Sequence, residues 1–302
     1  MNRVATFQLN SVMTAGMQRT QKSLADAQLQ FSTGKVAQSY SGVGSEAIRA
    51  LSARTMLVRE EGYLSAASAV TTTLEFYDAY LSSAETNMVE LRERVLSAVG
   101  QDNATELGGV VETAFRDFRV LVNARENGRA LFGGGQAGEN PLIPETLADT
   151  IGLDPAAAFR NDGVRNSARL ADGVDVEYTT SASEFGGHFV EAFGKLAALM
   201  PLDGPITTAQ RSALLDVVNS LDEGLADVRS VNAENGRRLA YTETLTVRAE
   251  DRSMMLTKVI GDVEDADLGQ VAVDLTQHQA MLAGSYSIFS KLSGLSLTNY
   301  LR

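Results

Sequence analysis

The sequence predicts a mainly α protein: a long antiparallel helical bundle or coiled-coil rod formed by the N- and C-terminal segments, with a small α/β domain inserted between them. Three observations carry that reading. Apolar residues recur in unbroken steps of four and three over long stretches, both extremities carry thin heptad stripes, and glycine, proline and turn signals gather between residues 133 and 203. Residues three and four apart share one face of a helix, so such steps mark helices rather than strands.

At the N-terminus, Met17, Leu24 and Phe31 stand seven apart, with Val4, Phe7 and Val12 before them. The first long seam then runs through Val70, Leu74, Tyr77, Leu81, Ala84, Met88, Leu91, Val95 and Ala98, a period that suits a coiled-coil seam. After a turn at Gly100–Asn103, a second helix is expected from near Ala104, with Leu107, Val111, Ala114, Phe118 and Leu121 on its face. The two should pair antiparallel.

The middle changes character. From Gly133 to about Asp203 the chain holds a triple glycine, Pro141, Pro144, Pro155 and Pro201, and turn signals such as Asn161-Asp162-Gly163 and Asp172-Gly173. Val174, Val176 and Tyr178 alternate with polar residues and read as a strand. A closing helix is expected to hold Phe189, Phe193, Leu196 and Leu199.

A third seam links Leu214, Val218, Leu221, Leu225, Val228, Asn232, Asn235, Leu239 and Thr242, continuing toward Leu256. Its two asparagines either fix register or mark an exposed stretch. At the C-terminus, Leu268, Leu275, Leu282 and Phe289 stand seven apart, with Val271 and Leu292 on the adjoining position. A narrow stripe on a short helix buries too little to hold one conformation against chain entropy. The two ends are therefore expected to be disordered in the free monomer and to order on assembly, with Met17, Leu24, Phe31, Leu275, Leu282, Phe289 and Leu292 as the assembly interface.

Composition narrows the function. With 38 acidic against 26 basic residues the net charge is -12, which argues against nucleic acid or an anionic membrane as the partner. Absence of cysteine removes disulfides and thiolate chemistry. The N-terminal stretch lacks the basic segment, the apolar run of about 7–15 residues and the cleavage site of a signal peptide. No run reaches the roughly 20 apolar residues of a membrane helix.

Catalytic, cofactor and metal sites are not expected. His188 and His278 are the whole imidazole supply and fall in different expected domains. His278 lies on the C-terminal seam and should pack against a partner helix. The Gly133–Gly135 run lacks the Lys-Ser/Thr of a phosphate loop, and Asp262, Glu264, Asp265 and Asp267 lack the spacing of a calcium loop. These acids read as a solvated face or as the first turn of the last helix, where they oppose the dipole.

Three stretches carry a family resemblance. Phe31-Ser32-Thr33-Gly34-Lys35 resembles the Leu-Ser-Ser-Gly-Lys-Arg segment of the flagellins and hook-associated proteins. Asn127-Gly128-Arg129-Ala130-Leu131-Phe132-Gly133-Gly134 is similar to the Gly-x-Tyr-Leu-Phe-x-Gly of the hook-filament junction branch of that family. Asp262 to Leu268, then Tyr286 and Leu295-Ser296-Leu297-Thr298-Asn299-Tyr300-Leu301, resemble that branch's ending. One departure stands out: the family's Asp-Asp-Pro is replaced by Tyr40-Ser41-Gly42-Val43-Gly44-Ser45.

The resemblance implies a terminal-helix assembly domain (1–40 and 265–302), a helical rod domain (41–135 and 204–264) and an inserted outer domain (136–203). It implies a non-enzymatic structural subunit, exported through the flagellar type III apparatus without a cleaved signal and placed between hook and filament. Its implied partners are copies of itself in a helical collar, neighbouring subunits (another hook-associated protein and flagellin) and an export chaperone, with no cofactor, nucleic acid or membrane. A major or minor flagellin is the alternative, and a secreted enzyme acting through the inserted domain a more remote one.

Overall fold

The computed structural model describes residues 2–136 and 138–300, with side chains at 8, 11–136 and 138–291. Contacts divide the chain into two compact units, Met1–Arg59 with Arg252–Arg302 and Glu60–Asp251.

The larger unit is organised by two helices, α3 (Ala47–Gln101) and α6 (Thr208–Glu264). All nine residues of the first seam, from Val70 to Ala98, are buried. Opposite them Leu214, Val218, Leu221, Leu225 and Val228 of α6 are buried too. The pairing is antiparallel: Arg92 binds Asp222, Glu85 binds Arg229, and Leu74 meets Asn235, so partner numbers fall on one helix as they rise on the other. Asn235 is 1% exposed and its Nδ2 donates to the Leu74 carbonyl at 2.8 Å. The Nδ2 donor is paired in this register while the buried Oδ1 has no partner among the described residues, so the polar residue on the seam is half satisfied.

Helix α4 (Leu107–Val122) begins three residues later than the sequence suggests and buries a different face. Leu107, Val111 and Phe118 point inward as expected, but Phe115 and Val122 take the positions assigned to Ala114 and Leu121. Both choices fit a helical period, and the larger Phe115 decides between them by filling space beside Phe193, ring centroids 5.3 Å apart.

After α4 the chain makes a two-residue hairpin, β1 (Arg125–Glu126) with β2 (Arg129–Ala130). Its turn is Asn127-Gly128 with φ of 49° and 79°, the left-handed pair that a right-twisted hairpin requires and that Asn-Gly supplies most easily. The hairpin delivers Leu131 and Phe132 to the core. Tyr77 donates its hydroxyl to the Leu131 carbonyl at 2.9 Å, and burial pushes that hydroxyl's pKa up to about 12. Phe132 packs between Tyr77, Tyr80 and Phe185. This is the physical content of the Asn127–Gly134 motif.

The stretch from 136 to 203 contains a second antiparallel pair, β3 (Ser167–Ala171) with β4 (Val174–Glu177), then α5 (Ser183–Ala198). Phe185, Phe189, Phe193 and Leu196 form one buried face of α5, while Leu199 lies just past its end and is half-buried. That face joins the core containing the seams of α3, α4 and α6, so the inserted stretch is part of the larger unit. Gly135 donates its N–H to Asp162 at 2.7 Å, so the triple glycine is a pinned turn.

The smaller unit holds α1 (Asn2–Thr33), the short α2 (Tyr40–Val43) with a 3₁₀ turn after it, and α7 (Leu268–Tyr300). It also takes in the first residues of α3 and the last of α6. Its bounds of 59 and 252 differ from the 40 and 265 at which the sequence motifs place a division.

Candidate assembly site

Helix α1 stops at Gly34, whose φ of 69° is the left-handed value that ends helices and that only glycine adopts without cost. The residues after Gly34 are stapled to the α6–α7 connection. Val36 donates to the Glu264 carbonyl at 2.8 Å, Ala266 donates to the Gly34 carbonyl at 2.9 Å, and Lys35 and Asp265 face each other in a one-residue antiparallel bridge. The Thr33-Gly34-Lys35 segment is thus the junction at which the two ends of the chain meet.

Side chains close the staple around Glu264. Its carboxylate is 8% exposed and accepts from Tyr40 Oη at 3.0 Å and from Arg54 Nε and Nη2 at 2.9 and 2.6 Å. Lys35 stands 3.7 Å away and binds Asp265 at 2.5 Å. A buried charge persists only when paired and hydrogen-bonded, and Glu264 meets both conditions. The Arg54 bonds hold its carboxyl below the usual range against the opposing effect of burial. Tyr40 is pushed up, by burial first and then by its bond to Glu264, and Lys35 is pushed up by its bond to Asp265.

The acidic run at 262–267 therefore divides in four, with Asp265 paired to Lys35. Asp262 is exposed, Asp267 caps α7 by accepting from the Gly269 and Gln270 amides, and Glu264 is the buried centre of the staple. Expecting a solvated face or a helix start for all of them fails at Glu264. No local signal marks it, because Tyr40 and Arg54 lie 224 and 210 residues away.

Helices α1 and α7 pair antiparallel, as the Lys35–Asp265 bridge and the Gln21 Nε2 to Tyr286 Oη bond of 2.7 Å show together. Ala27 and Val271 are buried within this unit, and Met17, Leu24, Leu275, Leu282 and Phe289 are half-buried. Phe31 is 53% exposed, Leu268 is 47% exposed, and the side chain of Leu292 lies outside those described. On a second face of α7, Val273, Met281 and Ile288 are exposed, while Val12, Ile48, Val58, Met254 and Met255 are also uncovered in this unit. Helix α7 carries only Asp274 and Lys291 as charged residues along 33 positions, a composition suited to cover on more than one side.

The histidines fall in separate units. His188 is half-exposed and bonds Asp227 at 2.7 Å, whereas His278 is half-buried on α7 and its enclosed Nδ1 has no hydrogen-bond partner among the described residues. Among the described residues no group of three acidic or histidine side chains converges as a metal site, and no helix is long and apolar enough to cross a membrane.

Comparison with known proteins adds to this geometry. No family model matches the sequence. The flagellar hook-associated protein 3 of Salmonella typhimurium is 24% identical over 320 aligned positions that cover 98% of both chains. The chain is similar to hook-associated protein 3 from end to end. The Escherichia coli protein of that name is 23% identical over 289 positions, covering 89% of this chain and 90% of its own. Among solved structures, a Vibrio parahaemolyticus protein assigned as flagellar hook-associated superposes with a TM-score of 0.60 at 18% identity, over 72% of this chain and 97% of that one. Bacillus cereus FlgL gives 0.58 at 14%, over 70% and 99%. These structural likenesses establish the fold, and the sequence similarity to hook-associated protein 3 covers both extremities.

Proposed function

We propose that the chain is a structural subunit of the bacterial flagellum that joins hook to filament. The observation that carries this reading is the end-to-end similarity to hook-associated protein 3, 98% of each chain, together with a terminal pair that keeps apolar residues uncovered. A subunit that works by assembly needs such surface and no reacting group, so we read the protein as non-enzymatic.

In this reading the chain keeps the three-part division into terminal-helix, rod and outer segments. Copies meet through α1 and α7 in a helical collar flanked by another hook-associated protein and by flagellin. The protein reaches the extracellular flagellum through type III export, escorted by a chaperone. Met17, Leu24, Leu275, Leu282 and Phe289 hold the two terminal helices together within one chain, and Phe31, Val273, Met281 and Ile288 are the faces offered to neighbours.

Electron microscopy of a deletion strain tests this. Intact hooks without filaments, with flagellin shed into the medium and filaments restored by the wild-type gene, are the expected result. Filaments of normal length and number in the deletion strain would overturn it.

A further inference from the structure

The smaller unit carries a second apolar surface, on α3 rather than on the terminal helices. Ile48, Leu51, Thr55 and Val58 follow one another in steps of three, four and three, so they form one row along the helix. The buried residues of that stretch are Ala50, Ala53 and Glu60, each two positions from a member of the row and so about 200° around the helix. The row therefore faces away from the cover that α3 already has. Ile48 and Val58 are 75% and 67% exposed, and Leu51 is exposed between them.

Charge along this stretch is one-sided. From Ala47 to Arg59, α3 contains three arginines and no acid, in a chain whose net charge is -12. Arg54 is bound to Glu264. Arg49 stands 3.6 Å from Glu46 in an exposed pair of the kind that holds loosely, and Arg59 makes no ion pair among the described residues. These two follow Ile48 and Val58 directly in sequence, so the apolar row has a basic margin.

The larger unit presents the opposite chemistry. Val247 of α6 is 50% exposed and lies two positions from the buried Leu245 and Ala249, on the outer side of its helix. Its surface neighbours four back, three on and four on are Glu243, Glu250 and Asp251, against Arg248 as the one base between them. None of the three acids has an ion pair or a side-chain hydrogen bond among the described residues. Like charges at these spacings repel, and a basic partner relieves them.

We infer that the basic apolar row on α3 of one copy seats on the acidic patch around Val247 of a neighbouring copy. This rests on the reading of the chain as an assembling subunit and adds a contact to the one through α1 and α7. Charge decides which surfaces pair, because two basic rows or two acidic patches brought together would repel. The partners are different surfaces, so the contact is head-to-tail. Repeated, such a contact generates a ring or a helix instead of a closed pair, as a collar requires.

The chain has no cysteine, so single cysteines report the contact cleanly. Val58→Cys and Val247→Cys are expressed together in a strain lacking the wild-type gene, and isolated hook-filament preparations are treated with a short bis-maleimide. A dimer whose peptides join positions 58 and 247 is expected, and it should be absent when either variant is expressed alone. Each chain carries one cysteine, so this link arises only between chains. In a second arm, Arg59→Glu and Glu250→Arg should each reduce swimming severalfold, and the double variant should recover it. Unchanged denaturation midpoints of the purified variants separate lost contact from lost fold, and the charge exchange decides alone if a cysteine variant does not assemble. Preparations holding both cysteine variants without the 58–247 link, or a double variant that swims no better than either single one, would overturn this contact and leave the assembly reading standing. Absence of the wild-type chain from such preparations would overturn both.

Discussion

Arg54 grips both oxygens of Glu264 at 2.9 and 2.6 Å, joining the start of α3 to the end of α6 within the smaller unit. Tyr40 adds a third bond to the same carboxylate. Removing Arg54 leaves the buried carboxylate with one of its three hydrogen bonds, from Tyr40, while the solvent-facing side of the pair limits the cost. Arg54→Met should loosen the staple. Hydrogen exchange at the Val36 and Ala266 amides reads this directly, and both should exchange faster in the variant.

Acid should act on the same point. The folded-state pKa of Glu264 lies below its ordinary 4.5, so its contribution is complete above that value and is lost as pH falls through the folded one. Protection of Val36 and Ala266, taken relative to the intrinsic exchange rate at each pH, should fall as pH drops through the folded-state value. In Glu264→Gln, whose amide does not titrate, exchange should already be fast at neutral pH and show no added rise from this site.

Gly224 on α6 faces Phe189, and a Cβ built there would stand 2.6 Å from the ring atoms Cδ1 and Cε1. The ring is fully buried against Phe118 and has nowhere to retreat. Gly224→Ala should therefore cost about 1–3 kcal/mol despite its gain in helix propensity, read as a lower denaturation midpoint of the larger unit. Phe132→Ala should cost about 3–5 kcal/mol in the same measurement, because a ring shared by three aromatic neighbours leaves a cavity.

The two faces of α7 should separate genetically. Phe289→Asp places a charge on the face turned to α1 and should abolish assembly by breaking the terminal pair. Ile288→Asp places it on the uncovered face, leaving the residues turned to α1 unaltered while blocking contact between chains. Both variants should be non-motile, and in both the larger unit should retain its wild-type denaturation midpoint.

Where the chain packs against itself over long, regular distances, its sequence was readable. The seam from Val70 to Ala98 and its partner on α6 are local patterns whose period requires a helix and whose apolarity requires a cover. The face of α4 was not readable, since Ala114 with Leu121 and Phe115 with Val122 satisfy the same period one residue apart. Asn127-Gly128 did carry a hairpin signal, visible once glycine and asparagine are asked for positive φ. The Glu264 staple is assembled from distant segments, so it leaves no local trace.

In the proposed role the terminal helices find their lasting cover in neighbouring subunits. Hydrogen exchange of residues 11–33 and 268–291 in dilute monomer and in isolated hook-filament preparations measures that cover directly. Exchange should be fast in the monomer and at least about tenfold slower in the assembly, with residues 70–98 protected in both. Equal protection of the terminal segments in the two states would contradict it.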